Sequence, residues 1–159
     1  MLPKQSLKTR AFTLIEIMVV ISIIALLSAG SLVAFNNLRE KRQVKGDADL
    51  VVQELKKART KARSGEKPDA CLSELAGYEV EVSGSSVVLR VRCGNTIDQE
   101  TVQLQYRSIV GSEVVVFDAL GGATPATVYV CGDSSSSGYA VEVTDSGLIE
   151  APVEYALCS

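Results

Sequence analysis

The sequence contains no histidine and no tryptophan, and only 3 phenylalanines. Without histidine the chain lacks the usual general base at neutral pH and the usual nitrogen ligand for a metal. A Ser-His-Asp or Cys-His nucleophile is excluded for the same reason. Without tryptophan, a core must be built from Val, Leu, Ile and Tyr. Proline is scarce, and none lies between Pro3 and Pro68, so no proline breaks a helix over that interval. The 4 cysteines include no Cys-x-x-Cys pair, which argues against zinc. Gly121-Gly122 lacks the Lys and Ser/Thr of a phosphate loop and reads as a plain turn. Ser134 to Ser137 reads as a loop. Together these absences lead us to expect no enzyme activity, no cofactor and no metal.

What is present is unevenly placed. Residues 12–35 read FTLIEIMVVISIIALLSAGSLVAF, and Glu16 is the lone charge among those 24 residues. About 20 apolar residues in a helix cross the ~30 Å of a bilayer's hydrocarbon. Lys4, Lys8 and Arg10 precede the run with no acid among them, a flank that holds the leading end in the cytoplasm. The expectation is a single pass through the cytoplasmic membrane, with the rest of the chain outside. A secretory signal shares the basic start and ends in small residues. Here the apolar run continues past Ala25, Ser28, Ala29 and Gly30 to Phe35, and it contains an acid. A charged side chain at the bilayer centre costs ~2.5–3.5 kcal/mol on insertion scales. Glu16 therefore either reaches the interface or meets a positive partner in an assembly.

The segment Arg10-Ala11-Phe12-Thr13-Leu14-Ile15-Glu16 resembles the class III signal of type IV prepilins and pseudopilins. The resemblance implies a leader cut by a prepilin peptidase between Ala11 and Phe12. It implies methylation of the new amine at Phe12 by the same peptidase, and an assembly role for Glu16. Ala11 stands where the family usually has Gly, and both are small. Many major pilins carry a proline in the apolar helix. Its absence here leaves any helix loosening to Ser28, Gly30 and Ser31, which in lipid serve equally as close-packing points. In a bundle of subunits, Glu16 of one chain can pair with the Phe12 amine of its neighbour, offsetting the cost of both charges. The implied partners are other pilin or pseudopilin subunits, the prepilin peptidase, an inner-membrane assembly platform and membrane lipid.

Beyond the apolar run, Val44, Ala48, Val51, Leu55, Ala58 and Ala62 recur at spacings of three and four, which places them on one helix face. Leu50 and Val52 widen that face. Arg39, Lys41, Arg42, Lys45, Lys56, Arg59 and Arg63 fill much of the remainder. Gly65 and Pro68 supply a stop. A helix unbroken from residue 12 to 64 spans ~80 Å. Charge is segregated: residues 39–67 hold 10 basic and 5 acidic side chains, while residues 68–159 hold 3 basic and 13 acidic.

After Pro68 the period changes to two. Residues 78–83 and 87–93 alternate around Gly84-Ser85-Ser86 and read as a β-hairpin, with Glu79 and Glu81 facing Arg90 and Arg92. Further strands are expected at 101–107, 113–118, 127–131 and 139–144, with a short return at 148–150 after the turn Asp145-Ser146-Gly147. The class is α+β: a long N-terminal helix packed on an antiparallel β-sheet head. The expected division is a leader at 1–11, a transmembrane half-helix at 12–35, an amphipathic half at 36–67 and the head at 68–159. Cys71, Cys93, Cys131 and Cys158 allow three pairings. Cys71–Cys93 and Cys131–Cys158 are favoured because each closes a local piece in an oxidising exterior. Val116 to Gly122 and Gly138 to Gly147 are similar to head signatures of H-type minor pseudopilins and related minor pilins.

The expected function is a structural subunit, a minor pseudopilin or minor pilin of a type II secretion pseudopilus or type IV pilus. The alternatives are a DNA-uptake minor pilin and a membrane-anchored binding module outside a filament. DNA needs exposed positive charge, and the acidic head argues against it as a partner.

Overall fold

Thr13 opens the helix. In the computed structural model its hydroxyl accepts the N–H of Glu16 at 3.3 Å, the bond of an N-cap, and α1 runs over Leu14–Ser64. The structure describes residues 12–106, 109–132, 138–156 and 158, with backbone alone at 29–34, 37, 98, 109 and 110. It divides into two compact units, Met1–Leu38 and Arg39–Ser159, each described by itself.

In the first unit the apolar side chains are uncovered. Leu14, Ile15, Met18, Ile21, Leu26 and Leu27 are all more than 60% exposed. The hydroxyls of Ser22 and Ser28 donate to the carbonyls of Met18 (2.8 Å) and Ile24 (2.7 Å). Such back-bonding satisfies a serine within its own helix. No helix among the described residues is long and apolar enough to cross a membrane.

In the second unit the expected stripe is the core face of the helix. Val44, Ala48, Val51, Leu55, Ala58 and Ala62 are each 2% exposed or less, and Val52 is buried beside them. The helix ends in a Schellman motif: Gly65 N–H donates to the Ala62 carbonyl, and Glu66 N–H donates to that of Lys61. Gly65 takes φ 66°, the left-handed conformation that this cap needs. The Tyr78 hydroxyl then donates to the Glu66 carbonyl at 2.8 Å, tying the helix end to the sheet.

The strands are β1 (Gly77–Gly84), β2 (Ser86–Cys93), β3 (Asn95–Gln103), β4 (Ile109–Asp118), β5 (Ala126–Cys131), β6 (Gly138–Val143) and β7 (Val153–Tyr155). They form one antiparallel sheet in the order β3-β2-β1-β4-β5-β6-β7. Alternation sends Tyr78, Val80 and Val82 inward from β1, and Val87, Leu89 and Val91 from β2. Val115 and Phe117 from β4, with Val128, Val130, Val141 and Val143 from β5 and β6, complete the core. The fold is α+β, as the order of periods implied. Gly77 is required where β1 meets β4: at φ 147°, a Cβ there would stand 2.1 Å from the Phe117 carbonyl oxygen.

The β1–β2 hairpin has the expected facing. Glu79 stands opposite Arg90. Arg90 contacts Glu79 at 3.4 Å and also pairs with Glu81, while Arg92 lies 3.9 Å from Glu79. Two expectations are corrected. The strand at 101–107 is the tail of β3, which begins at Asn95 and ends at Gln103. Past it, the N–H groups of Gln105 and Tyr106 turn to the carboxylate of Asp47 (2.9 and 3.1 Å), which takes the chain out of the ladder; Arg107 lies outside the described residues. The return at 148–150 is not a strand. Thr144 N–H donates to the Leu148 carbonyl at 3.0 Å and Gly147 N–H to that of Thr144, so the turn holds its own bonds. Ile149 makes a single bridge to Val143, and the last strand comes later, at β7.

Cys71 pairs with Cys93, and Cys131 with Cys158, each with Cα atoms 5.7 Å apart. The first bond joins the 65–76 loop to the end of β2. The second holds the C-terminal tail on β5.

Candidate assembly site

Phe12 precedes the cap and is 75% exposed, and Glu16 occupies the third position of the helix. Ala11, and with it the expected cleavage bond, lies outside the described residues. The Thr13-x-x-Glu16 spacing is that of a capping box, in which a hydroxyl serves the N–H three residues on. That signal was legible in the sequence and passed unread. The helix N-terminus carries partial positive charge, which stabilises an acid there by ~0.3–1 kcal/mol. This offsets only part of the several kcal/mol of placing a carboxylate among apolar neighbours. Of the small residues expected either to loosen the apolar helix or to serve as close-packing points, Ser28 is bonded within it. Gly30 and Ser31 lie on helical backbone whose side chains are outside the description.

The second unit carries its own electrostatics. Lys41 pairs with Glu154 at 2.8 Å, and the hydrogen bond to Glu154 raises the lysine above its usual range. Lys57 reaches Glu100 and Glu54, and the bond to Glu100 likewise raises it against a smaller lowering by burial. Burial pushes the Tyr78 phenol up; Lys61, 5.9 Å over its ring, opposes that and Glu66 adds to it. The sequence reading did not anticipate Asp47, buried at 1% exposure. A lone acid beside the core stripe was its only signal.

The segment Val116 to Gly122 runs from the end of β4 into a tight turn. Phe117 is fully buried, and the Asp118 carboxylate accepts the N–H groups of Leu120 and Gly122, both at 2.9 Å. Gly121 takes φ 93°. The Ser134 to Ser137 run lies outside the described residues. Among the described residues, no three His, Cys, Asp or Glu side chains stand together to hold a metal. An open pocket of about 310 Å³ lies beside the first disulfide, lined by Leu72, Ser73, Cys93 and Ile97 among others; none of its lining side chains is ionisable.

A long helix followed by a helix-backed antiparallel sheet makes an α+β fold, consistent with a pilin-like head. Residues 7–32 match the family model for the prokaryotic N-terminal methylation motif. The chain thus carries the prepilin signal of type IV pilins and pseudopilins, which implies processing by a prepilin peptidase and assembly with other pilin-type subunits. No curated protein and no solved structure matches it.

Proposed function

We propose that the chain is a minor subunit, a minor pseudopilin or minor pilin of the H type, in a type II secretion pseudopilus or type IV pilus. Residues 12–35 hold it in the cytoplasmic membrane as a single pass, with the head outside. The supporting observation is Glu16: one carboxylate, inside the matched motif, on a helix whose apolar side chains are otherwise uncovered. Cleavage ahead of Phe12 frees an amine four residues from that carboxylate. Pairing the amine of one copy with Glu16 of the next offsets both desolvation costs and fixes axial register. The role is mechanical rather than catalytic, in keeping with a chain that lacks histidine. The buried Phe117 and the Asp118–Gly122 turn support the H-type assignment.

Mass spectrometry of the native N-terminus tests the processing: the expected product begins at methylated Phe12. Glu16→Ala is expected to be cleaved and membrane-held yet lost from filaments. Unchanged incorporation of that variant would refute the pairing.

A further inference from the structure

Among the described residues the sheet ends in two free edges, β3 and β7. Strand β7 is three residues long, whereas β3 runs nine residues, Asn95–Gln103, without a proline. An edge strand presents unpaired N–H and C=O groups, a template for another extended segment. A register shift in the β2–β3 ladder sets Ile97 opposite Val91 and Glu100 opposite Leu89. Val91 and Leu89 are core residues. Ile97 and Glu100 therefore share the helix side of the sheet, where Glu100 meets Lys57.

The open pocket of about 310 Å³ lies at the start of this edge. Asn95 and Ile97 of β3 line it together with Leu72 and Ser73 of the 65–76 loop. Leu72 is 94% exposed, although its neighbour Cys71 is buried. The walls are fixed in advance: Cys71 is bonded to Cys93, and the Ser73 hydroxyl donates to the Cys93 carbonyl. Strand addition takes its affinity from main-chain hydrogen bonds and its specificity from pockets for alternate side chains. Both devices stand here on one edge.

Charge selects the partner. Residues 95–103 hold Asp98 and Glu100 and no base. A second β3 laid alongside would set acids near acids, which destabilises a strand pair. The other edge of a second copy, β7, offers only three residues, with Glu154 among them. A nucleic acid is repelled by the same acids. No side chain lining the pocket is ionisable, so the residue that it takes is uncharged and apolar. We propose that the β3 edge binds an extended segment of a different protein, which adds a strand to the sheet, seats an aliphatic side chain in the pocket and sets a lysine or arginine on the same face beside Glu100. Such binding is independent of whether the chain enters a filament.

The probe is a capped, fluorescent peptide of seven residues: threonine at each odd position, leucine at the centre and lysine two residues to either side. It reads the same in both directions, so it fits a parallel or an antiparallel partner. It is titrated with the full-length protein in phosphatidylcholine nanodiscs, and the complex is mapped by amide exchange. The expected result is saturable binding, absent from empty nanodiscs, with exchange slowed within 95–103 and unchanged at 153–155. Leu72→Asp, at an exposed position, is expected to weaken binding by roughly tenfold or more, through the lost burial of a leucine. Proline in place of the threonines removes their N–H donors and is expected to abolish binding. Glutamate in place of the lysines sets like charges together and is expected to weaken it several-fold. No saturable binding up to ~1 mM overturns the proposal. So does equal binding by the proline peptide, the glutamate peptide or the Leu72→Asp protein, or protection that falls outside β3.

Discussion

Asp47 is buried to 1% exposure, and its two oxygens accept the N–H groups of Gln105 and Tyr106 at 2.9 and 3.1 Å. A hydrogen bond to a charged acceptor contributes ~1.5–3 kcal/mol net, so Asp47→Ala forfeits ~3–6 kcal/mol in gross terms. Two effects return part of it. The substitution abolishes the desolvation cost of the carboxylate. Gln105 and Tyr106 are exposed residues, so water can reach their freed N–H groups. A net loss of ~2–4 kcal/mol remains. For a unit of about 120 residues the unfolding entropy makes 1 kcal/mol worth ~4 °C, so the melting point falls by ~8–16 °C. Asp47→Asn keeps one carbonyl acceptor and is expected to lose about half as much. Thermal unfolding of the full-length protein in detergent, followed by circular dichroism with the disulfides intact, measures both. Amide exchange at 105 and 106 should accelerate in step. A melting point for Asp47→Ala within ~2 °C of the parent would refute the reasoning, as would an Asn variant no better than the Ala.

Native protein is expected to show no titratable thiol, and four after reduction and unfolding. Cys131→Ser with Cys158→Ser opens a closure of 27 residues and should cost ~3.5 kcal/mol by the chain-entropy relation, read from urea unfolding. The Tyr78 phenol is raised by burial. Its folded pKa therefore lies above the unfolded value near 10, and the stability it contributes is full below that pH and lost as pH rises through the folded value. Absorbance at 295 nm should show one of the 5 tyrosines ionising last, and Tyr78→Phe should remove that late step. Gly77→Ala places a Cβ 2.1 Å from the Phe117 carbonyl oxygen at φ 147°. It should cost several kcal/mol or prevent folding, whereas Gly84→Ala, with open space around it, should lose only the ~1 kcal/mol of a left-handed residue.

The parts of the fold legible in the sequence were those set by local period. The helix stripe from Val44 to Ala62 follows from a spacing of 3.6 and is reproduced residue for residue; a spacing of 2 puts Glu79 and Glu81 on the same face as Arg90 and Arg92, while the register, Glu79 opposite Arg90, is set by the fold. Illegible parts were set by contacts distant in sequence. Residues 95–100, rich in Asn, Asp, Gln and Glu, have poor strand propensity. They join the sheet because β2 offers a ladder beside them. The strand expected at 101–107 stops at Gln103, and beyond it Asp47, 58 residues before Gln105, takes the N–H groups of Gln105 and Tyr106. Strand β7 is three residues long and carries no readable alternation. At the candidate site, the segment from Arg10 to Glu16 was legible as a prepilin-type signal, but not the Thr13 cap within it. The division among the helix cations was not legible, since only the structure separates Lys41, Lys57 and Lys61, which reach carboxylates, from Arg42, Lys45, Lys56 and Arg63, which reach none among the described residues.

Asp47 and Glu16 pose one physical problem on one helix, and the chain answers it twice. Each carboxylate sits where water is scarce in the working state: Asp47 under the sheet, Glu16, in the reading proposed, among lipid tails and neighbouring helices. For Asp47 the fold supplies donors from its own backbone, so the cost is offset once the domain closes and a monomer suffices. For Glu16 the chain offers the helix end and the hydroxyl of Thr13 as a cap for its N–H, and no side chain of opposite charge within the apolar run. In the reading proposed, a donor of positive charge then comes from a neighbouring copy, as the freed amine at Phe12. A carboxylate satisfied internally stabilises a fold. Under that proposed reading, one left short by its own chain selects a neighbour, and the penalty for inserting without that neighbour sorts correct assembly from incorrect.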